Sequence, residues 1–203
     1  MNVLLIDDHK MVNSGIAVIL EETGRFKVTG QVNTLNEAKQ FIETNINELP
    51  SLILLDIMLG EENGLDFLPF LVKFCKSKKI KKPPVLVCSV LEEPLRIQTA
   101  FDRGAAGYIS KAGSKAELLT AIDTVLNENK YISDEHSAKV MKSYDLYTKF
   151  TKREIEIFHQ IKNHKSNNQI ADKLGLSIRT IENHISNIYY KTGTKNRQGL
   201  LKL

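Results

Sequence analysis

The stretch NVLLIDDH, residues 2–9, sets the apolar run VLLI directly before two adjacent aspartates, Asp7 and Asp8. A short aliphatic run of this kind is typical of a strand that is buried on both faces of a parallel sheet. Two neighbouring carboxylates repel each other, so the pair favours a site that holds a cation. Closure of the strand, or capping of the next helix, is the simpler alternative for the pair considered alone.

Similar runs recur along the first part of the chain, and helix-like patterns alternate with them. The predicted strands lie at 3–6, 26–32, 52–57, 84–90 and 107–110. The predicted helices lie at 10–22, 35–45, 64–76, 94–103 and 115–128. This alternation predicts an α/β domain, with a five-stranded parallel sheet of flavodoxin-like order that helices cover on both faces.

The pattern changes after residue 128. Residues 129–149 are polar and mixed in charge, which is typical of a linker, with or without some helix. Residues 150–203 instead predict a small all-α domain. We therefore divide the chain into a first domain at 1–128, a linker at 129–149 and a second domain at 150–203.

Three helix starts define the second domain. TKRE at Thr151–Glu154 and SNNQ at Ser166–Gln169 are capping boxes, and Ser177 is placed to cap a third helix. The segment LGL between the second and third helices contains Gly175, which favours a tight turn. Two helices joined by so short a turn predict a helix-turn-helix.

Basic charge is concentrated in the second domain. Residues 1–149 carry 18 Lys and Arg against 20 Asp and Glu, whereas residues 150–203 carry 10 against 4. The resulting net charges of −2 and +6 give the +4 of the whole chain. A polyanion such as DNA suits this segment, and an ordinary solvated basic surface is the alternative.

Composition excludes several classes of protein. Of the 203 residues, 42% are apolar and 26% are charged, as in ordinary globular proteins. No apolar run approaches the roughly 20 residues of a membrane span, so we expect a cytoplasmic protein without a membrane partner. Cys75 and Cys88 lack CxxC spacing, so we expect buried free thiols and neither a disulfide nor a zinc site.

The predicted sheet brings a third carboxylate, that of Asp56, beside Asp7 and Asp8. Oxygen ligands of this kind select Mg²⁺, Mn²⁺ or Ca²⁺ over zinc. Ser89 and Lys111 follow the fourth and fifth strands and reach the same edge of the sheet. A divalent ion, an ammonium and a nucleophilic carboxylate are together suited to phosphoryl transfer.

In this order and spacing, the motifs resemble those of a two-component response regulator of the NarL/FixJ family, in which a receiver domain precedes a LuxR-type helix-turn-helix. The motifs are DD at 7–8, LILLDIMLGEENG at 52–64, VLVCSV at 85–90, GYISK at 107–111 and FTKREIEIFHQIKNHKSNNQIADKLGLSIRTIENHISNIYYKTGTKNR at 150–197. The resemblance covers essentially the whole chain.

The resemblance implies roles for the residues of the first domain. Asp56 would accept a phosphoryl group from a sensor histidine kinase, and Lys111 would contact the phosphoryl oxygens. The implied ligands of Mg²⁺, or of Mn²⁺ in its place, are Asp8, Asp56, the carbonyl of Met58 and, directly or through water, Asp7.

Ser89 and Tyr108 are implied to form the switch that reports phosphorylation. A phosphoryl group adds roughly −1.5 to −2 charges and new acceptor oxygens. The Ser89 hydroxyl can reach these oxygens only if its loop moves. Tyr108 would then turn inward to fill the vacated space. An ordinary half-buried strand aromatic is the alternative for Tyr108.

The third helix of the second domain has two distinct faces. The face predicted to pack is Ile178, Ile181, Ile185 and Ile188. The opposite face suits base edges in a major groove, where Asn can pair with adenine and Glu can accept from cytosine. Its predicted DNA contacts are Arg179, Thr180, Glu182, Asn183, Ser186 and Asn187. Predicted phosphate contacts are Lys165, Arg179, Lys191, Lys195 and Arg197.

Four residues depart from the family pattern. Ala112 follows Lys111 where Pro is common, which puts a cis peptide there in doubt. Gly60 stands where Pro is usual, and we expect it to loosen the loop after Asp56. His164 stands where Gly is usual, so His164 or Asn163 is expected to adopt a left-handed conformation. Glu182 occupies a position often held by a DNA-contacting Lys, and we expect it to read a base or to enforce selectivity.

The favoured function is a phosphorylation-controlled transcription regulator, whose own chemistry is limited to Mg²⁺-dependent phosphorylation and dephosphorylation at Asp56. Phosphorylation is expected to shift the receiver between two states, which either exposes the DNA-binding helices or promotes their dimerisation. A homodimer on double-stranded DNA is the expected assembly. One alternative is a regulator that binds DNA regardless of phosphorylation. The other is a Mg²⁺-dependent phosphohydrolase with Asp56 as nucleophile, which would need a general acid, for which Asp7 and Asp8 are the candidates.

Overall fold

A computed structural model describes residues 1–91, 93–133, 137 and 149–203, apart from the side chain of Lys202. The chain divides into two compact units, Met1–Val140 and Met141–Leu203. Each unit has its own hydrophobic core. The predicted linker at 129–149 lies mostly outside the described residues, so its boundaries and its helical content remain predictions.

The first unit is built on a parallel sheet. Its strands are β1 (Asn2–Ile6), β2 (Lys27–Val32), β3 (Leu52–Leu55), β4 (Met58–Leu59), β5 (Glu62–Asn63), β6 (Val85–Ser89), β7 (Gly107–Ser110) and β8 (Tyr131–Ile132). Six of them form one sheet in the order β2-β1-β3-β6-β7-β8, in which every neighbouring pair is parallel. The remaining two, β4 and β5, form an antiparallel pair. The predicted flavodoxin-like order is confirmed.

Five helices connect these strands in the described part of the first unit. They are α1 (Lys10–Glu21), α2 (Leu35–Thr44), α3 (Phe67–Lys78), α4 (Pro94–Asp102) and α5 (Lys115–Leu126). All five lie where the sequence predicts helices. The predicted start of the third, at residue 64, is instead a single 3₁₀ turn, Gly64–Asp66.

Both faces of the sheet are covered by apolar side chains. Leu4 of β1 packs in a cluster with Leu71 of α3, and its neighbour Leu5 packs in a second cluster with Ile122 of α5. Successive side chains of a strand point to opposite faces. A strand between two helical layers must therefore be apolar throughout, which explains the run VLLI.

The last strand of the six-stranded sheet, β8, lies in the segment that the sequence predicts to be a linker. Tyr131 and Ile132 pair with Gly107 and Tyr108 of β7. Two residues are too few to show a strand periodicity, so the sequence gives no sign of this strand. The sheet therefore continues beyond the five predicted strands.

The second unit contains the predicted helix-turn-helix. Its helices are α6 (Lys152–Lys162), α7 (Asn167–Leu174), α8 (Ile178–Thr192) and α9 (Arg197–Lys202). Thr151 and Ser166 form reciprocal capping boxes, and the Ser177 hydroxyl accepts from the N–H of Thr180. Gly175 ends α7 in a left-handed conformation, with φ +62°. All three predicted helix starts are confirmed.

The apolar face of α8 packs into the core of the second unit. Ile181, Ile185 and Ile188 are buried, together with Ile157 of α6. Ile178 is 46% exposed, because it occupies the first position of the helix and lies at the edge of this core. The packed face is therefore one residue shorter than the sequence predicts.

The structure bears on two features that composition addresses. Among the described residues, no helix combines the length and the apolar character of a membrane span. Cys75 and Cys88 are free and buried, as predicted. Burial raises the pKa of the Cys88 thiol to about 12, so this side chain stays protonated and unreactive at neutral pH.

Candidate functional site

Three carboxylates meet at the carboxyl edge of the parallel sheet. Asp7 and Asp8 follow β1 and Asp56 follows β3, and these two strands are neighbours. Four ligand atoms lie within 4.8 Å of one another, one each from Asp7, Asp8, His9 and Asp56. Asp7 and Asp56 are buried, whereas Asp8 is partly exposed. The predicted acidic cluster is present.

Lys111 lies beside these carboxylates, just after β7. Its Nζ is 2.6 Å from Oδ2 of Asp56 and 2.6 Å from Oδ2 of Asp7. Burial lowers the pKa of Lys111, but hydrogen bonds to both carboxylates and their charges outweigh this effect, so the pKa lies above its ordinary value. Lys111 is therefore a stable cation that offsets part of the negative charge.

His9 belongs to the same cluster, although the sequence pattern did not assign it there. Its Nδ1 lies 2.8 Å from Oδ1 of Asp8 and 3.1 Å from Oδ1 of Asp7. His9 is also the N-cap residue of α1, and its backbone N–H donates to Oδ1 of Asp7. His9 therefore both begins helix α1 and belongs to the acidic cluster.

Asn13 is a second residue that sequence reasoning missed. Its Nδ2 donates to the carbonyl oxygen of Asp7 at 2.7 Å. With Ala17 and Leu20, Asn13 forms the buried face of α1. A lone amide among apolar side chains at helical spacing was the available signal. The bond fixes the backbone that carries Asp7.

The loop after Asp56 is a tight hairpin. Gly60 and Glu61 join β4 to β5, and Gly60 has φ +59°, which glycine adopts readily and proline cannot. The Gly60 N–H donates to Oδ2 of Asp8 at 2.9 Å, a bond that proline cannot make. This bond ties the hairpin to the acidic cluster, and the expectation that Gly60 loosens the loop stays a prediction.

Gly64 brings the end of this hairpin against Asp56. Its N–H donates to the carbonyl oxygen of Ile57 at 2.7 Å. A Cβ atom at position 64 would lie 1.9 Å from the carbonyl oxygen of Asp56. The Asp56 carboxylate in turn accepts from the N–H of Ile57 at 2.7 Å. Only glycine leaves room for this packing.

Ser89 and Tyr108 are both fully buried next to the cluster. The Ser89 Oγ accepts from the N–H of Leu91 at 3.4 Å, and the Tyr108 hydroxyl donates to the carbonyl of the same residue. Burial is the main cause that raises the pKa of Tyr108 well above its ordinary value. Tyr108 is therefore not a half-buried strand aromatic, and its part in a switch stays a prediction.

The polar face of α8 points to solvent. The exposed residues of this face are Arg179, Glu182, Asn183, Ser186, Asn187 and Tyr190. Thr180 is partly buried, and its hydroxyl lies 2.8 Å from Oγ of Ser177. Thr180 thus takes part in the N-cap of the helix. The face presents amide, hydroxyl and charged groups of the kinds that read base edges.

Two of the predicted phosphate contacts also hold the second unit together. Nζ of Lys191 lies 2.6 Å from Oε2 of the buried Glu154, and the Arg197 guanidinium donates to Oδ1 of Asn167 at 2.9 Å. Any phosphate would share these cations with their internal partners. The other basic side chains predicted there are exposed, namely Lys165, Arg179 and Lys195. Their contacts with DNA remain predictions.

Residues 3–123 match the family model of the response regulator receiver domain, and residues 148–203 match that of bacterial regulatory proteins of the luxR family. The first match alone spans more than half of the chain. The chain belongs to the response regulators. This response regulator is 30% identical over 201 residues to the response regulator protein VraR of Staphylococcus saprophyticus, a match that covers 97% of this chain and 92% of VraR.

Further comparisons agree with this assignment. The transcriptional regulatory protein LiaR of Bacillus subtilis is 26% identical over 204 residues, covering 97% of this chain and 93% of LiaR. The RcsB response regulator of Salmonella typhimurium has the same fold, with a TM-score of 0.66 and 22% identity over 100% of this chain and 98% of RcsB. The resemblance to the NarL/FixJ family is confirmed. Because this family consists of transcription regulators, the phosphohydrolase alternative has no support.

Proposed function

We propose that phosphorylation of Asp56 controls the binding of this response regulator to DNA and thereby transcription. The observation that carries the proposal is the environment of Asp56, whose buried carboxylate lies 2.6 Å from the Lys111 ammonium and beside two further carboxylates. A sensor histidine kinase is the proposed phosphoryl donor.

The acidic cluster fits Mg²⁺ or Mn²⁺, since its donors are mostly carboxylate oxygens. Oδ1 of Asp8 is buried and accepts no hydrogen bond from the residues that the structure describes, although Nδ1 of His9 lies 2.8 Å away. Such an oxygen is costly to bury unless a cation binds it. The proposed ligands are Asp8, Asp56, the carbonyl of Met58 and, directly or through water, Asp7. A bound ion would supply positive charge against the incoming phosphoryl oxygens.

In the proposed reaction, a carboxylate oxygen of Asp56 attacks the phosphorus atom of a phosphohistidine. A P–O bond forms as the P–N bond breaks, and the imidazole leaves with its electron pair and takes up a proton from solvent. Lys111 already donates a hydrogen bond to Asp56, so its ammonium is close enough to bind the phosphoryl oxygens once they are attached. The product adds roughly −1.5 to −2 charges to the cluster.

Leu91 suggests how Ser89 and Tyr108 report this change. Its N–H donates to Ser89, and its carbonyl accepts from Tyr108. A Ser89 hydroxyl that moves toward the phosphoryl oxygens gives up its bond to Leu91 and thereby releases one attachment of this loop. We therefore assign the switch to Ser89 and Tyr108 acting through this loop.

The exposed face of α8 is the proposed DNA-reading surface, and a homodimer on two half-sites is the expected assembly. RcsB supports this by analogy, since its solved structures include two dimers bound to DNA and a complex with a promoter in the presence of the phosphomimetic BeF₃⁻. Net basic charge at residues 150–203 agrees with a DNA partner.

The test measures how much of a pool of genomic DNA fragments the immobilised full chain retains. Retention is compared in the presence and in the absence of BeF₃⁻ together with Mg²⁺. We expect BeF₃⁻ to raise retention about tenfold for the wild type and to have no effect on Asp56→Asn. Glu61→Gln removes an exposed carboxylate from the nearby hairpin and should respond like the wild type. Equal retention by the wild type in both conditions would support the regulator that binds DNA regardless of phosphorylation.

A further inference from the structure

A cavity lies at the edge of the sheet opposite the acidic cluster. Its volume is about 720 Å³, within the range of small-molecule sites. The segments that line it precede strands β3, β6, β7 and β8, at 49–51, 81–84, 104–106 and 128–130. The cavity therefore opens at the amino ends of the strands. It shares no residue with the phosphorylation site.

The wall of the cavity is largely apolar. Its apolar side chains include Leu49, Pro84, Phe101, Val125 and Leu126. Such a wall gains from contact with a hydrocarbon or aromatic body. A ligand with only polar groups would leave this surface without a matching partner.

The charged groups of the cavity are unbalanced. Three lysines line it against one carboxylate, and that carboxylate, Glu128, is paired with Lys81 at 2.5 Å. Within residues 1–91 and 93–133, Lys82 and Lys130 form no ion pair. Lys130 instead lies over the ring of Phe101, with its Nζ 5.6 Å from the ring centroid. Within the described residues, two of the three lysines that line the cavity thus have no ion-pair partner, the partly buried Lys82 and the exposed Lys130.

Of these two lysines, Lys82 gives the stronger indication of an anion site. Its ammonium is partly buried and donates to the carbonyls of Gly104, at 3.0 Å, and of Pro83, at 3.4 Å. An ammonium has three N–H donors, so one remains available. Burial lowers the pKa of Lys82, because an ammonium is less stable away from water. An anion at this point would accept the remaining N–H in a charge-assisted hydrogen bond.

We infer that this cavity binds a small amphipathic carboxylate, with its carboxylate on Lys82 and Lys130 and its apolar body against the wall formed by Phe101 and Leu126. The volume, the apolar wall and the two ammonium groups that form no ion pair within the described residues each select one property of this ligand. The basic run KSKKIKK at 76–82, which the phosphorylation site does not use, thereby acquires a role for its last residue.

The proposal is tested by calorimetric titration of the full chain with octanoate, with 1-octanol as the neutral probe of the same chain length. We expect one saturable octanoate site, about tenfold weaker binding of 1-octanol, and about tenfold weaker octanoate binding by Lys82→Met, because one charge-assisted hydrogen bond is lost. Lys78→Met removes an exposed lysine from the same basic run and should bind octanoate like the wild type.

Several results would overturn the inference. One is the absence of saturable octanoate binding up to about 10 mM, beyond which affinity would be negligible. Another is equal binding of octanoate and 1-octanol, which would make the cavity merely apolar. A third is inorganic phosphate that binds as tightly as octanoate, which would make the apolar wall irrelevant. As a control for folding, phosphorylation of Asp56 from a small-molecule donor is measured on each variant. Its rate should equal that of the wild type.

Discussion

Replacement of Gly64 by alanine tests whether the hairpin after Asp56 holds the reacting carboxylate in place. The added Cβ would lie 1.9 Å from the carbonyl oxygen of Asp56, and contacts below 3.0 Å essentially do not occur. The 3₁₀ turn and the Asp56 backbone must therefore separate by at least about 1.1 Å, the difference between these two distances. Misplacement of a reacting group by about 1 Å can lower a rate about 100-fold.

We therefore expect Gly64→Ala to be phosphorylated by acetyl phosphate about 100-fold more slowly than the wild type. We also expect a loss of about 1–3 kcal/mol of unfolding free energy from overpacking. The rate is measured by intact mass over time, and the stability by urea unfolding. Gly15→Ala makes the same chemical change in α1, where the new Cβ has no heavy atom within 4 Å beyond its chain neighbours and the backbone of its own helix, and it should keep the wild-type rate. A wild-type rate for Gly64→Ala would refute the reasoning, because it would show that Asp56 does not depend on this packing.

Three further predictions concern the second unit. His164 has φ +57°, a left-handed conformation that costs a non-glycine residue about 1 kcal/mol, so His164→Gly should raise the stability of this unit by roughly 0.5–1 kcal/mol, seen as a higher midpoint in thermal unfolding. Burial opposes the charge of Glu154, but its bonds to Lys191 and Thr151 outweigh this and lower its pKa. Glu154→Gln should therefore lower the stability of α6 by about 2 kcal/mol at pH 7, and this difference should disappear as the pH falls through the lowered pKa, as hydrogen exchange of the α6 amides would show. Glu182→Ala should relax sequence preference in a selection from random duplexes, whereas equal effects on specific and random DNA would contradict a base-reading role.

The sequence predicts the main features of the fold because they follow from short-range patterns. Aliphatic runs and helical spacing place the strands and helices, and the topology of parallel sheets then brings Asp56 to Asp7 although 49 positions separate them. Helix caps such as Thr151 are recognisable because the pattern of a capping box spans only four residues.

Features that depend on contacts between distant residues were not predicted. The ion pair of Lys191 with Glu154 joins two helices across 37 positions. No sequence pattern around either residue predicts this pair. The bond from Asn13 to Asp7 depends on how α1 packs on β1. The bond from Gly60 to Asp8 likewise joins residues 52 positions apart, which short-range patterns do not reveal.

The central claim, that Asp56 accepts a phosphoryl group, is tested most directly by intact mass after incubation with acetyl phosphate and Mg²⁺. We predict one added phosphoryl group on the wild type and none on Asp56→Asn or after removal of the metal with EDTA. Addition of one phosphoryl group to Asp56→Asn would contradict the assignment of Asp56. No addition to the wild type, from acetyl phosphate or from a histidine kinase, would contradict phosphorylation control of this regulator.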